Sequence, residues 1–575
     1  MWCSNCGKKA YGNTCDICGN ATDPIAPSDV YWCDSCKVPV IKYADDADLE
    51  HCPLCGSAIR MLTTDIRPVF PEERLLFEIL LNKPMAYQYS SVWCSNNRYY
   101  VDGKSIPISK THYKKYTPDY IRTLLEQYKE QNQENAFLQY AEKFVEANQH
   151  RLASIKDEAM EFIKSEAEKF PNENIVISFS GGKDSTVVAD LTVKALANPN
   201  LLHIFSDTTL EFPLTMEYAK RYRAANPKAI FKIAKNKEEN FYDVCKEIGP
   251  PARMMRFCCS MFKTGPLTRV LNTLFENQSI LTFYGIRHSE SAARSKYNRV
   301  EDKAESVKIQ KQTVASPIIE WLDCDVWLYL LGENVDFNDA YRLGYDRVGC
   351  WCCPNNSARS QFLSTIYMSE QYQAWRTFLV DFAKMIGKPD AEVYVDDGWW
   401  KARQGGNGVP ASDDILILYK TEKNNPNRRI YRLKKPITGE FVNMLCPLGV
   451  ISDDYSKADY SETVLLDVKT KEPIISVKSV EHEEYPYAVQ IKLLNCKNKV
   501  QRQAYYRMFG YQVRKYNACR RCLKCESLCK QGAISIKGGK YKIDPYKCTH
   551  CQMCVTDKYL TGGCLMLKYL YIKEN

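Results

Sequence analysis

The sequence predicts a multidomain α/β protein in which a parallel-sheet core carries cysteine-rich modules at both ends. Three observations support this. A chain of 575 residues exceeds the size at which one hydrophobic core serves. Between residues 174 and 234, short β-branched runs alternate with helical stretches, the pattern of a parallel sheet with crossover helices. The 26 cysteines fall largely in C-x-x-C groups, the spacing that chelates metals.

The core is organised around Ser178–Ser185, SFSGGKDS. Asn174-Ile-Val-Ile before it reads as a buried strand and Thr186–Ala197 after it as a helix. Gly181 and Gly182 let backbone N–H groups approach an anion, and the helix N-terminus and Lys183 add positive charge. A Walker A loop is excluded: it needs glycine at Ile177, and Asp184 follows the lysine where Ser or Thr would hold magnesium. Leu201–Ser206 and Ala229–Ala234 are the next strands, with a helix over Met216–Arg223 between them. Ligands of such sheets gather at the carboxyl ends of the strands, which places Asp207 beside the loop, as a binding residue or a helix cap. Arg256, Lys263, Arg287, Glu290 and Arg294 follow apolar runs, where arginine forks suit phosphate or sulfate and surface charge is the alternative.

Charge and hydropathy set the boundary conditions. With 78 Lys plus Arg against 69 Asp plus Glu, the net charge of +9 permits anionic substrates or nucleic acid without requiring either. No run of about 18 apolar residues occurs, and MWCSNCGKK lacks the apolar stretch of a signal peptide, so a cytoplasmic protein with no membrane partner is expected.

Taken in order, residues 1–62 hold Cys3, Cys6, Cys15 and Cys18, then Cys33, Cys36, Cys52 and Cys55. Gly7, Gly19 and Gly56 each follow a second cysteine, where a tight turn aims two thiolates at one ion. Four thiolates suit tetrahedral zinc in a closed structural site, with disulfides or iron as alternatives. Two zinc ribbons and about two zinc ions are expected. Residues 63–118 form a small mixed module with hairpin signals at Asn96-Asn97 and Asp102-Gly103 and a lone, structural Cys94. The core domain spans 119–360 and begins with a helical lead-in, in which Phe137, Tyr140, Ala141, Phe144 and Val145 make a packing stripe. A helical extension (361–404), with helices expected over Ala358–Gly387, leads through Gly405–Gly408 into a β-rich module (405–513), where Cys446 and Cys496 are unpaired by motif and structural. The last module, 514–575, carries Cys519, Cys522, Cys525 and Cys529, then Cys548, Cys551, Cys554 and Cys564. Arg514, Lys515, Arg520, Arg521 and Lys524 crowd it, as steering charges or a solvated face.

The SGGKDS loop, DTTLEFP at 207–213, RFCCSMFKTGPL at 256–267, GIRHSESAAR at 285–294 and SPIIEWLDCDVW at 316–327 resemble the successive motifs of the PAPS/APS reductase family of adenine-nucleotide α-hydrolases, over roughly residues 150–360. The resemblance implies a PP-loop fold and an adenine nucleotide (PAPS, APS or ATP). It implies nucleotide binding by Ser178, Ser180, Gly181, Gly182, Lys183, Asp184, Ser185, Asp207, Lys263, Arg287 and Arg294, with Lys183, Asp184 and Arg287 as catalytic candidates. Cys258-Cys259 with Cys350 and Cys353 resembles the cysteine set that holds a [4Fe-4S] cluster in some APS reductases; zinc is the alternative, and Cys352 could replace a neighbour. The C-terminal run resembles a bacterial two-cluster ferredoxin. That implies one [4Fe-4S] cluster on Cys519, Cys522, Cys525 and Cys564 and another on Cys548, Cys551, Cys554 and Cys529, with nine residues before Cys564 where three are usual. One departure stands out: the Glu-Cys-Gly-x-His segment that supplies the nucleophile in thiol-dependent reductases does not occur.

The expected function is therefore an iron–sulfur oxidoreductase that binds an adenylyl sulfate and reduces it with electrons passed through its own ferredoxin module from an electron donor. The alternative is an ATP-dependent sulfurtransferase that adenylates tRNA or DNA, uses Mg2+ with ATP and releases pyrophosphate. A third reading is a nucleotide-gated electron carrier or scaffold.

Overall fold

The structure, a computed structural model, describes residues 2–3, 5–6, 8–9, 15, 17–20, 28–43, 49–276, 278–291, 294–302, 308–309, 311–403, 409, 416–555, 564–568 and 571–575. The expected Gly405–Gly408 linker and Gly7 lie outside the described residues.

Strands Val38–Tyr43, Ser28–Cys33 and Ile59–Thr63 form a three-stranded antiparallel sheet. The next module is a four-stranded antiparallel sheet of Arg67–Pro68, Val92–Ser95, Arg98–Val101 and Lys104–Pro107. Its two hairpins turn at Asn96-Asn97 and Asp102-Gly103 as the sequence indicates, with Asn96 at φ 56°, Asp102 at φ 45° and Gly103 at φ 75°. Gly103 also joins the two sheets: a Cβ there would lie 2.4 Å from Trp32 Nε1, so the indole seats directly on the turn.

The lead-in comprises helices Pro118–Tyr128, Asn135–Ala147 and Gln149–Ala167. Phe144, fully buried, packs with Trp327 and the strands of the core sheet in one apolar cluster, which makes the Phe137–Val145 stripe core packing.

The core sheet has strands β1 (Ile175–Phe179), β2 (Leu202–Asp207), β3 (Ile230–Lys235), β4 (Ile280–Tyr284), β5 (Val300–Glu301) and β6 (Gln312–Ala315), in the order β3-β2-β1-β4-β6-β5. All pairings are parallel except the β5 edge. Ile175, Val176, Ile177 and Phe179 are each at most 1% exposed, because helices cover both faces. Helix α1 (Lys183–Leu196) follows β1 and α2 (Pro213–Ala225) follows β2. The strand order reverses between β1 and β4, which opens a crevice at their carboxyl ends.

Two helices, Ala358–Tyr367 and Ser369–Met385, form the extension. A seven-stranded sheet follows, in the order Val450–Ile451, Glu462–Leu466, Pro473–His482, Tyr485–Leu493, Asn425–Leu433, Leu416–Glu422 and Tyr571–Glu574. The β-rich reading fails at its end: Lys499–Ala518 is a 20-residue helix, and the expected boundary at 513/514 falls inside it. Its aromatic-rich sequence suggests strand, but the Asn498 side chain caps it by accepting from Gln501 N at 2.9 Å. Tyr506, Phe509, Val513 and Tyr516 then share one buried face at helical spacing. The Tyr571–Glu574 strand pairs parallel to Leu416–Glu422, so the end of the chain completes the preceding sheet. Among the described residues no helix is long and apolar enough to cross a membrane.

Gly285, just past β4, is set by close approach. A Cβ there would lie 2.6 Å from the Asp184 carbonyl carbon and from Ser185 N, both backbone atoms that cannot swing aside. Gly285→Ala is expected to displace the start of α1, costing about 1–3 kcal/mol of stability by overpacking; thermal or urea unfolding measures it, and wild-type stability would contradict the packing.

Candidate nucleotide site and cysteine centres

The Ser178–Ser185 loop lies at the carboxyl end of β1, where the strand order reverses. Gly181 takes φ 72° and packs against Thr215, which a Cβ would approach to 2.9 Å. Ser185 Oγ accepts from Ser180 N at 3.1 Å and donates to Gly182 O at 2.8 Å, which closes the turn. A second layer, absent from the sequence reading, holds it from outside. Asn338 Nδ2 donates to Gly181 O at 3.1 Å, and the Tyr341 hydroxyl accepts from Lys183 N at 3.0 Å.

Lys183 and Arg287 do not stand free. Lys183 Nζ pairs with Asp323 Oδ1 at 3.0 Å and Asp184 Oδ2 at 3.5 Å; Arg287 binds Asp184 through Nε and Asp323 through Nη2 at 3.0 Å. Burial disfavours the Lys183 ammonium, but the Asp184 and Asp323 carboxylates outweigh it and raise its pKa. Burial likewise works against the Asp184 carboxylate, and Arg287 and Lys183 hold it well below the usual range. Arg294 pairs with Glu290. Asp207 accepts from Thr209 N at 2.8 Å and pairs with Lys235 at 2.8 Å, so it both shapes its turn and neutralises a neighbour.

Lys183, Asp184, Arg287, Glu290 and Asp323 open onto a cavity of about 720 Å³ shared with the N-terminal modules, whereas Asp207 and Arg294 lie outside its lining. Carboxylates of Asp29, Asp65, Asp184, Glu290, Asp323 and Asp346 line it together with Lys183, Arg67, Arg287 and Arg347. Asp65 caps helix α3 (Asp323–Gly332), accepting from Asp323 N at 3.1 Å and Cys324 N at 3.0 Å. Burial and the neighbouring Asp323 push its carboxyl up to about 6. Neither Asp323 nor Asp65 was singled out in the sequence: an acidic residue in the SPIIEWLDCDVW motif was the available signal for Asp323, and Asp65 gave none, because its partner lies 258 residues away.

The central cysteines converge from two segments. Cys258 precedes a π-helical turn at Cys259–Thr264, and the two thiols interact electrostatically. Cys350 arrives by bridging to Glu211, beside the loop after β2, with Trp351 N donating to Leu210 O at 2.9 Å and Thr208 Oγ1 at 3.6 Å from its sulfur. Cys353 lies by Cys259, and Cys352, 4% exposed, is buried among Cys350, Cys245 and Cys258. Lys263 lies by Cys259, Cys350 and Glu211, outside the lining of the Lys183 cavity.

The terminal cysteines differ in spacing. Cys3, Cys6, Cys15 and Cys18 form one compact set, and Cys33, Cys36, Cys52 and Cys55 another, the sulfurs of each all within 4.8 Å of one another. Individual separations of 3.5, 3.8, 3.4 and 3.9 Å match the tetrahedral edge of about 3.8 Å that a zinc–sulfur bond of about 2.3 Å dictates. Both sets fit one zinc ion. In the C-terminal module Cys564 meets Cys525 thiol to thiol, with Cys522 and Cys519 alongside. Cys554 lies with Cys525, Cys529 and Cys548, its carbonyl 3.9 Å from Cys525 Sγ, and Cys551 lies with Cys529. Among the described residues, neither these cysteines nor the central ones draw three sulfurs within 4.8 Å of one another, a wider arrangement than a single ion takes. Cys446 departs from the expectation of an isolated thiol: it stands beside Cys548, because its 3-10 turn packs against His550, whose Nδ1 meets Cys446 O at 2.9 Å. Cys496 donates to Asn498 O at 3.4 Å.

A glycine loop at the switch point of a parallel sheet defines a multidomain protein with a PP-loop-like α/β core. Residues 174–356, about a third of the chain, match the phosphoadenosine phosphosulfate reductase domain. An uncharacterized protein of Methanocaldococcus jannaschii is 33% identical over 270 residues, 47% of this chain and 53% of that protein. A second from the same organism is 30% identical, covering 46% and 60%. The matches thus span little more than half of these relatives. Adenosine 5'-phosphosulfate reductase of Lysinibacillus sphaericus is 28% identical over 34% of this chain and 79% of that enzyme.

Two outcomes follow for the site. Lys183→Ala should weaken adenine-nucleotide affinity about 10–100-fold, the loss of one charge-assisted contact, with metal content unchanged; calorimetry and metal analysis read both. For Asp65 the folded carboxyl titrates above the unfolded value of 3.8, so its contribution is fully present below that value and is lost as pH rises toward about 6. Asp65→Asn should therefore remove part of the fall in melting temperature between about pH 4 and 6, and an identical slope in both proteins would refute that role.

Proposed function

We propose that the protein is an oxidoreductase of the PAPS/APS reductase type, which binds an adenylyl sulfate at the Ser178–Ser185 loop and reduces it with electrons delivered through its C-terminal module. The observation that carries the reading is the seat of that module. The helix Lys524–Leu528 packs on both the Cys259–Thr264 turn and the Gly265–Leu274 helix that continues it. Arg269 clamps the contact, binding Glu526 Oε1 at 3.0 Å and Ile536 O at 2.8 Å, and Leu523 lies so close to Gly265 that a Cβ would meet it at 3.0 Å. Cys522, Cys525, Cys554 and Cys564 share one apolar core with Met261, Phe262 and Cys352.

[4Fe-4S] clusters supply one-electron transfer when bound; Cys519, Cys522, Cys525 and Cys564, then Cys529, Cys548, Cys551 and Cys554, and centrally Cys258, Cys259, Cys350 and Cys353 would hold them. The first eight cysteines of the chain would hold two structural zinc ions. In the reaction the sulfur–oxygen bond to the nucleotide phosphate breaks, two electrons reduce S(VI) to S(IV), and sulfite and the adenine nucleotide leave. The chain's own residues bind and orient: the loop and α1 N-terminus take the phosphate, Arg287 and Arg294 stand by the anion, and Asp184 fixes Lys183 and Arg287. Lys263, placed among the cysteines, offers its charge to the sulfate end. An external electron donor replenishes the module.

A second reading has one observation in its favour. Six carboxylates line the cavity, and two of them occupy Lys183 and Arg287, an arrangement suited to a nucleotide that brings Mg2+ with it. That reading is ATP-dependent sulfur transfer to a nucleic acid, with pyrophosphate released.

Anaerobic protein with a reduced donor and APS or PAPS is expected to release sulfite. Pyrophosphate from ATP with no sulfite would select the second reading. Metal analysis should find about twelve iron and two zinc per chain from the cysteine sets; about eight iron and three zinc would assign zinc to the central cysteines.

A further inference from the structure

The helix Lys499–Ala518 runs from the seven-stranded sheet into the C-terminal cysteines and carries Lys515 there. The side chain is 1% exposed. Its Nζ meets the Tyr541 hydroxyl at 2.7 Å and lies 4.5 Å from the centroid of the same ring. Tyr541 is itself 2% exposed and sits on the hairpin strand Lys540–Ile543. The thiols of Cys525, Cys554 and Cys564 also lie close enough to act on the ammonium, and Cys525 Sγ is 3.9 Å from Cys554 O. Two of these belong to one C-terminal cysteine set and one to the other, so the cation stands between the sets. No carboxylate pairs with it among the described residues.

An ammonium taken out of water loses several kcal/mol of solvation and persists only beside negative charge. A phenol does not supply that charge. Thiolates bound to metal do, and their net charge becomes more negative on reduction. In a low-dielectric interior a fixed cation favours the more negative state.

We propose that Lys515 is the shared counter-cation of the two C-terminal cysteine sites, and that its charge raises the reduction potential of the iron–sulfur groups held there. The inference rests on the proposal that these cysteines hold clusters. A lysine that merely ties the helix to the hairpin through Tyr541 is the rival account, and the two differ in what removal of charge alone does.

The test uses the full-length protein, purified anaerobically, with iron analysis, circular dichroism and a redox titration followed by electron paramagnetic resonance. Lys515→Met, similar in length and uncharged, should keep the fold and move the C-terminal signals to more negative potential by at least tenfold in the reduction equilibrium, about 59 mV for a one-electron couple. Lys515→Arg, which keeps the charge, and Tyr541→Phe, which removes the hydroxyl tether, should shift them far less. Unchanged potentials in Lys515→Met, or an equal shift in Tyr541→Phe, would overturn the proposal. If Lys515→Met folds but loses C-terminal iron, restoration by Lys515→Arg supports the counter-cation and shared loss overturns it. If Cys522→Ala and Cys554→Ala leave the iron content of the wild-type protein unchanged, the cluster assignment itself falls, and the role of Lys515 with it.

Discussion

The structure depends most on four charges buried at the point where the core sheet reverses its strand order. Lys183 and Arg287 alternate with Asp184 and Asp323, each cation touching both carboxylates. Removing any one would leave an uncompensated charge out of water, which costs several kcal/mol, so the quartet ties together the loop, the segment after β4 and the start of α3. Gly285 lets those segments approach, and Asp65 reaches in from the N-terminal module to hold the third. The candidate nucleotide site is thus assembled by several distant parts of the chain.

From there the same constraint extends toward the cysteines. Asn338 and Tyr341 grip the loop from behind, and the chain that bears them continues within ten residues to Cys350. A buried brace fixes this stretch to the N-terminal module: Arg67 forks onto Glu73 at 2.6 and 2.8 Å, Tyr99 donates to the same carboxylate at 2.8 Å, and Arg359 binds it as well. Buried charges joined by a bidentate fork specify one arrangement. The loop and the central cysteines are consequently joined by one continuous set of contacts, and the C-terminal module packs on the turn that follows Cys258.

Much of the local structure was legible because it follows from short-range rules. Asn96-Asn97 and Asp102-Gly103 turn their hairpins by accepting positive φ, and the strands of the core read as β-branched runs because both of their faces are covered. Where the chain mixed signals, reading failed. In Lys499–Ala518 tyrosines and valines resemble a strand by composition, and only packing of the Tyr506, Phe509, Val513 and Tyr516 face reveals the helix. Cys446 looked isolated because its neighbour, Cys548, is supplied by a different module.

By itself, then, the sequence determined the loop, the strand–helix alternation and the cysteine spacings, since each is written within a few residues and obeys backbone geometry or ligand spacing. Tertiary structure alone decided which charges meet. Asp65 joined Asp323 across 258 residues, Lys263 went to the cysteines instead of the cavity, and Lys515 was drawn from an apparently solvated basic run into the space between two cysteine sets. Electrostatic partnership in a low-dielectric interior depends on distance in space, and distance along the chain carries almost none of that information.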